Sequence, residues 1–168
     1  VAVTKAIQSM TGIECGIKWP NDILYQGKKI VGILTEMNAE IDAINYIVIG
    51  MGINVNINQQ EFPVELRESA TSLSMAAGRA ISRLSLLNAV LVELEQAYED
   101  VIQHGFSKML DEWRRLSVTL GKRVNVIGSG REFSGTAVDI DHDGGLLVQT
   151  EAGMERVLAG DVSIRPQI

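Results

Sequence analysis

Three apolar, β-rich segments follow one another between Lys18 and Asn56, and each is interrupted by glycine, asparagine, aspartate or lysine. Alternation and run length predict strands over residues 13–19, 23–25, 30–37 and 46–55, with a turn at 21–22 and a hairpin connection over 26–29. A plain core strand would carry Val, Ile or Leu at the interrupted positions, so packing and strand propensity are given up there. Several such residues close together indicate that the strands leave space for a ligand.

The order of helix, strand, hairpin and strand predicts an α+β fold built on a mixed, largely antiparallel sheet. We expect the first helix over residues 1–10 and a polar turn over 38–43. The apolar run over 46–55 is nearly continuous, which is typical of a strand buried on both faces.

Helices are predicted to follow this sheet, after an irregular loop over residues 56–69. A short helix over 71–77 precedes a long one that is capped by Ser82 or Ser85 and runs to about His104. Spacings of three and four residues predict the apolar face of the long helix, which consists of Leu87, Val90, Leu91, Leu94, Tyr98 and Val101.

From Leu120 onward the pattern changes to short strands separated by glycine-rich turns. This spacing predicts a small antiparallel barrel of the SH3-like kind. We therefore expect two domains, residues 1–119 and 120–168, of which the second is too small to be stable without the first. The expected strands of the barrel are 123–127, 133–140, 146–149, 154–158 and 162–164.

Composition narrows the classes of function. The formal net charge of −6 argues against a broad nucleic-acid surface. The single cysteine, Cys15, cannot form an internal disulfide, which favours a reducing, cytoplasmic setting and a buried filler role. No apolar run reaches the roughly eighteen residues of a membrane span. The chain begins at Val1 without an N-cap, so we expect it to come from a longer polypeptide.

The polar interruptions supply candidate site residues. Asp22 and Lys29 lie on either side of one short hairpin, so their side chains can approach the same rim of the sheet. A lysine there can hold a carboxylate or phosphate, and a carboxylate beside it can steer an ammonium group. Each residue taken singly would more often be a solvated charge, but their arrangement favours a site.

Glycines in the later strands indicate a surface for a flat ligand. Gly50 and Gly52 alternate inside an apolar run, and Gly32 interrupts the preceding strand. Bulges or close strand packing are the alternative explanation. Without side chains, such positions let a ligand lie against the backbone. Asn54 follows with a donor and an acceptor that suit an adenine edge.

Other chemistries lack support. His104 and His142 have no partners at metal-ligand spacing, and one cysteine cannot build a zinc site, so we expect no protein metal centre. The segment Gly128-Ser129-Gly130-Arg131 joins two predicted strands and lacks the helix that a phosphate loop requires.

Three motifs together resemble the signature blocks of biotin protein ligases. They are Lys18-Trp19-Pro20-Asn21-Asp22, Lys29-Ile30-Val31-Gly32-Ile33-Leu34 and Gly50-Met51-Gly52-Ile53-Asn54-Val55-Asn56, in the order of that family and close to its spacing. The resemblance implies a class II synthetase-like catalytic domain followed by an SH3-like domain. It also implies that biotin and ATP, with Mg²⁺, form biotinyl-5′-AMP, and that biotin then passes to a lysine of the biotin carboxyl carrier domain of a carboxylase.

The resemblance implies a role for each matching residue. Lys29 would contact the biotin carboxylate and the α-phosphate, Asp22 would meet the carrier lysine, and Lys18 would add positive charge near the phosphates. The remaining residues implied to bind biotin or nucleotide are Asn21, Gly32, Leu34, Gly50, Gly52, Ile53 and Asn54. Arg165, with Asp161, would reach toward ATP from the second domain.

One family element has no counterpart here. The Gly/Arg-rich loop that folds over the adenylate lies N-terminal to these blocks in the family, so we expect little ligase activity from this polypeptide alone. Alternatives stay open: a lipoate-ligase-like enzyme, a biotin-responsive repressor with a winged helix upstream, or a bare interaction module. We expect no contact with nucleic acid or membrane from this segment, and a homodimer through the sheet edge is a further hypothesis.

Overall fold

The computed structural model describes residues 1–40, 43–128, 131–158 and 162–166. Four α-helices occur in these ranges: α1 (Ala2–Thr11), α2 (Leu73–Ala77), α3 (Arg83–His104) and α4 (Ser107–Leu116). Nine strands occur there as well: β1 (Gly16–Lys18), β2 (Asp22–Tyr25), β3 (Lys28–Glu40), β4 (Ala43–Ile53), β5 (Arg123–Gly128), β6 (Arg131–Ile140), β7 (Leu146–Thr150), β8 (Gly153–Val157) and β9 (Val162–Pro166). The predicted α+β class is confirmed.

The first sheet is antiparallel, in the order β1-β2-β3-β4. Its register aligns Lys18, Asp22, Gly32 and Gly52 in one row across all four strands. Residues that oppose one another share a face, and successive residues alternate between faces. The sheet therefore has a polar, glycine-bearing face and an apolar one.

The apolar face of this sheet packs against helices. The adjoining row consists of Ile17, Ile23, Val31 and Ile53. Helices α1 and α3 pack against each other over this face and close the first core. The buried members of that core are Val3, Ala6, Ile7, Ile13, Cys15, Ile23, Ile30, Val31, Val55, Leu73, Ile81, Leu86 and Val90. The core thus anchors one face of the sheet and leaves the glycine-bearing face available.

The second sheet contains the five strands that the sequence predicted after Leu120. It is antiparallel, in the order β8-β7-β6-β5-β9, around a core of small aliphatic side chains such as Val124, Val126 and Leu146. Within the described residues, β8 and β9 remain at opposite edges and do not close the sheet. Closure into a barrel and the domain boundary at residues 119 and 120 stay predictions.

Trp19 connects the two sheets. It follows β1 but is buried in the second core, where it is 3% exposed. Its indole Nε1–H donates to the carbonyl of Gly144 at 3.0 Å, and its backbone N–H donates to Thr119 Oγ1 at 2.9 Å. The segment that leads into Asp22 is therefore held by the second sheet.

Two expectations about the third and fourth strands were wrong. Residues 38–40, expected in a turn, lie in β3, because the hairpin extends farther than the polar composition indicates. The run Tyr46–Ile49 is not buried on both faces, since its four side chains are 50–58% exposed. Contacts with the first core end at Ile33 and Met51, so the outer part of the hairpin lies outside that core.

The expected face of α3 was also partly wrong. Leu86 and Val90 are buried, with Ala89 and Leu94 packed beside them. The side chains of Leu87, Leu91 and Tyr98 are instead more than half exposed. Both sets have helical spacing, and only packing against α1 selects between them.

Among the residues that the structure describes, no helix combines the length and the hydrophobicity that a membrane span requires.

Candidate functional site

A β-bulge in β3 places Lys29 on the same face as Gly32. Val31 pairs with Ile23 and Lys29 pairs with Leu24, so Ile30 has no partner across the hairpin. In a regular strand, residues three apart point to opposite faces, but the additional residue of a bulge changes this alternation. Lys29 therefore joins the glycine-bearing face, and both Ile30 and Val31 are buried in the core.

Lys29 and Asp22 form an ion pair on this face. The Lys29 Nζ lies 2.5 Å from Asp22 Oδ1, and the two side chains are 46% and 20% exposed. The expected proximity of the two groups is therefore observed. A half-exposed pair is only weakly stabilising, so an incoming anion can replace the carboxylate as the partner of the ammonium.

The backbone of Lys29 is held from the side opposite Leu24. Its N–H donates to the carbonyl of Ser69 at 2.8 Å, and its carbonyl accepts from Thr71 N–H at 3.0 Å. This bridge, which pairs Lys29 with Ala70, is parallel. The base of the lysine is thus fixed although its tip is exposed.

A cavity of about 570 Å³ opens beside Lys29. This volume lies in the range of small-molecule sites. One wall is the sheet, and the other is the segment 57–70. The residues lining the cavity are Lys29, Ile30, Gly32, Gly52, Asn54, Ile57, Glu61, Phe62, Pro63, Leu66, Ser69 and Ala70. Two of the predicted glycines, the lysine and the asparagine therefore meet at one site.

The two candidate asparagines are both tied to backbone groups. Asn54 Nδ2 donates to the carbonyl of Thr71 at 3.2 Å, and the backbone N–H of Asn54 donates to the carbonyl of Ile30 at 2.9 Å. Asn21 Nδ2 donates to the carbonyl of Ile33 at 2.5 Å, and the Asn21 carbonyl accepts from Ile33 N–H. Asn54 lines the cavity, whereas Asn21 braces the turn before Asp22.

Other predicted site residues lie farther away. Leu34 and Gly50 face each other one step along the glycine-bearing face, where Leu34 is 61% exposed. Ile53 pairs with Val31 and packs against the first core. Lys18, at the edge strand, opposes Asp22 and is half-buried.

The remaining candidate comes from the second sheet. Arg165 lies on β9 opposite Asn125. Its expected companion Asp161 lies outside the described residues, so the pairing of the two stays a prediction.

The second wall of the cavity was not among the predicted site residues. Its members Glu61, Phe62 and Leu66 belong to a segment expected to be an irregular loop. Phe62 is only 5% exposed. The signal in the sequence was Phe62-Pro63, an apolar pair inside a polar segment, because an aromatic residue there indicates anchored backbone.

Among the described residues, groups with a clearly shifted pKa lie outside this cavity. Burial raises the pKa of the Cys15 thiol from 9.0 to about 11, which supports its role as a filler. A hydrogen bond from Arg156 lowers the pKa of Asp141 to about 2, aided by backbone N–H donors of the turn. The Asp141-His142-Asp143 group could offer ligand atoms to a metal, but both carboxylates already pair with Arg156.

Comparisons with known proteins agree with one another. Residues 1–54 match the model of the Biotin/lipoate A/B protein ligase family, and residues 119–165 match the Biotin protein ligase C terminal domain. The Bifunctional ligase/repressor BirA of Bacillus subtilis is 42% identical over 164 residues, covering 98% of this chain and 50% of that protein. The Biotin–[acetyl-CoA-carboxylase] ligase of Mycobacterium tuberculosis is 36% identical over 152 residues, covering 89% and 53%.

A solved structure extends this agreement to the fold. The biotin protein ligase of Aquifex aeolicus, in complex with biotin and ATP, is 30% identical with a TM-score of 0.85. The match covers 99% of this chain and 68% of that one. The chain spans about half the length of the two curated relatives. Both halves of the sequence and the overall fold therefore lead to one conclusion: the chain belongs to the biotin protein ligase family.

Proposed function

We propose that this protein carries out ATP-dependent biotinylation. In the first step, a carboxylate oxygen of biotin attacks the α-phosphorus of ATP, which enters with Mg²⁺ as substrate, and pyrophosphate leaves. In the second, the ε-amine of a carrier lysine attacks the carbonyl carbon of biotinyl-5′-AMP, and AMP leaves. The observation that carries the proposal is the ammonium of Lys29, held over Gly32 by Asp22 at the mouth of the cavity.

Lys29 is the proposed electrostatic catalyst. Its ammonium is exposed enough to meet the biotin carboxylate and the α-phosphate, where negative charge develops. Lys18 in the same row adds positive charge. When an anion pairs with Lys29, the Asp22 carboxylate loses its partner close to the reacting carbonyl. It can then attract the ammonium of the carrier lysine and orient its amine.

The glycine-bearing face is the proposed surface for the ligand rings. Gly32 and Gly52 both line the cavity, and the backbone of Gly52 is not covered by a side chain there. Asn54 lies beside them with an amide suited to adenine. Leu34 and Gly50 continue this face outward and would contact biotin. Asn21 would act by bracing the turn, and Arg165 by approaching ATP from the second sheet.

The proposed partner is a biotin carboxyl carrier domain of a carboxylase. The name of the M. tuberculosis relative, a ligase acting on acetyl-CoA carboxylase, supports this choice. The family model shared by biotin and lipoate ligases keeps lipoate as the competing acid. The substrate is therefore part of the test.

A chimera tests the proposal in a complete ligase. The matched 164 residues of the B. subtilis relative would be replaced by this chain, and ATP-dependent acylation of a carrier domain would be measured with biotin and with lipoate. We expect transfer of biotin but not of lipoate, and loss of transfer in Lys29→Ala. Lys28→Ala, the neighbouring lysine outside the cavity, is the matched control and should keep its activity. A folded chimera without biotin transfer would refute the proposal.

A further inference from the structure

The second wall of the cavity is held together by its own hydrogen bonds. Between Ile57 and Ala70 the structure contains two short 3-10 helices, Gln59–Glu61 and Val64–Leu66. At the start of the wall, the backbone N–H of Asn58 donates to Glu61 Oε2 at 2.7 Å. So little regular structure cannot by itself hold a segment of this length in one conformation. Hydrogen bonds from side chains must contribute.

The guanidinium of Arg67 supplies two of these contacts. Its Nε donates to the carbonyl of Phe62 at 3.0 Å, and its Nη2 donates to the carbonyl of Gln60 at 2.9 Å. In return, Gln59 Nε2 donates to the carbonyl of Arg67. A guanidinium can satisfy two carbonyls at once because its donors form a rigid planar fork. Arg67 thereby closes the wall on itself without lining the cavity.

The same wall reaches the base of Lys29. The backbone N–H groups of Ser69 and Ala70 donate to the carbonyl of Leu66 at 3.1 and 2.8 Å. The carbonyl of Ser69 then accepts from Lys29 N–H at 2.8 Å. The segment ordered by Arg67 is therefore continuous with the strand that carries the proposed catalytic lysine.

We infer that Arg67 is a positioning residue, which holds the cavity wall in its binding conformation before any ligand arrives. The role in ligand binding rests on the proposed function. If only a fraction of molecules has the wall in place, apparent affinity falls by that fraction. Turnover of the bound complex changes little, because the ligand itself then holds the wall.

Three variants separate this role from a general effect of charge or stability. Arg67→Met removes both donors and keeps a similar length, while Arg67→Lys keeps the charge but lacks the rigid fork that donates from two separate nitrogens. Arg79→Met is the matched control, since Arg79 also donates to a backbone carbonyl, that of Met10 at 3.0 Å, away from the cavity.

Two measurements are made on these variants. Hydrogen exchange of residues 57–70 is followed in the free chain, and KM for ATP and kcat are measured in the chimera. For Arg67→Met we expect roughly tenfold faster exchange and a roughly tenfold higher KM, with kcat nearly unchanged. Arg67→Lys should be intermediate, and Arg79→Met should match the unmodified protein in both.

Unchanged exchange in Arg67→Met would overturn the inference. Faster exchange together with an unchanged KM would also overturn it. An Arg67→Lys variant with the exchange and KM of the unmodified protein would do the same, because the positive charge alone would then be enough to order the wall. If the unmodified chimera transfers no biotin, the proposed function fails, and the exchange measurement alone decides whether Arg67 orders the wall.

Discussion

The side chain of Lys29 lies directly across Gly32. Its Cε and Nζ are each 3.0 Å from the place that a β-carbon at position 32 would occupy, and Asp22 Oδ1 is 3.8 Å from it. Glycine is therefore required here for the position of a charged group, and not for a turn.

Gly32→Ala should reduce biotin transfer far more than it reduces stability. The new methyl group meets the flexible end of Lys29, which can move aside at little cost in folding energy. A displaced catalytic group, however, can cost about a hundredfold in rate. We expect that loss of kcat in the chimera, with the free energy of unfolding changed by less than about 1 kcal/mol. A variant that unfolds easily but keeps its rate would contradict this explanation.

Asp22→Asn should separate the two chemical steps. The substitution keeps the shape but removes the charge that would attract the carrier lysine, so transfer should slow by about a hundredfold. Formation of biotinyl-5′-AMP should fall much less, because Lys29 remains. Rapid-quench measurement of each step provides the check. The free energy of unfolding should change by no more than about 1 kcal/mol, as expected for a half-exposed ion pair. Equal slowing of both steps would show that Asp22 has no specific role in transfer to the carrier lysine.

Trp19→Phe should weaken the connection between the two sheets. It removes the indole N–H donor to Gly144 and leaves space in the second core. We expect a loss of roughly 1–3 kcal/mol in the free energy of unfolding by urea. Trp113→Phe is the comparison, because Trp113 packs at the edge of the same core and is half-buried. Equal losses in the two variants would show that Trp19 has no special role.

Asp141 should make part of the stability depend on pH in acid. Its hydrogen bond from Arg156 lowers its pKa from 3.8 to about 2 in the folded chain. A group with a depressed pKa contributes stability above its unfolded value, and this contribution is lost as pH falls through the folded value. The unmodified chain should therefore be more stable than Asp141→Asn. This difference in the free energy of unfolding should be at its full value above pH 3.8 and should decrease toward pH 2. Acid titration by circular dichroism measures it, and a difference independent of pH would contradict this assignment.

Much of the framework could be predicted from local pattern. Alternation and glycine-rich turns predicted the strands of the second sheet to within about two residues, since these signals depend on neighbouring positions. The hairpin joining Asp22 to Lys29 was predictable for the same reason. The buried side of α3 was not, because Leu86 and Leu87 each belong to a stripe with helical spacing.

The sequence alone determined the residue types at the candidate site and the family to which the chain belongs. Tertiary structure decided how those residues meet. The unpaired Ile30 turns Lys29 onto the face of Gly32, and the segment tied by Arg67 closes the cavity opposite them. Both effects depend on three-dimensional packing: on buried side chains that accept a bulge, and on backbone carbonyls five and seven residues from the guanidinium that binds them. Local periodicity contains no information on such contacts. It therefore predicts the strands but not the site that they form.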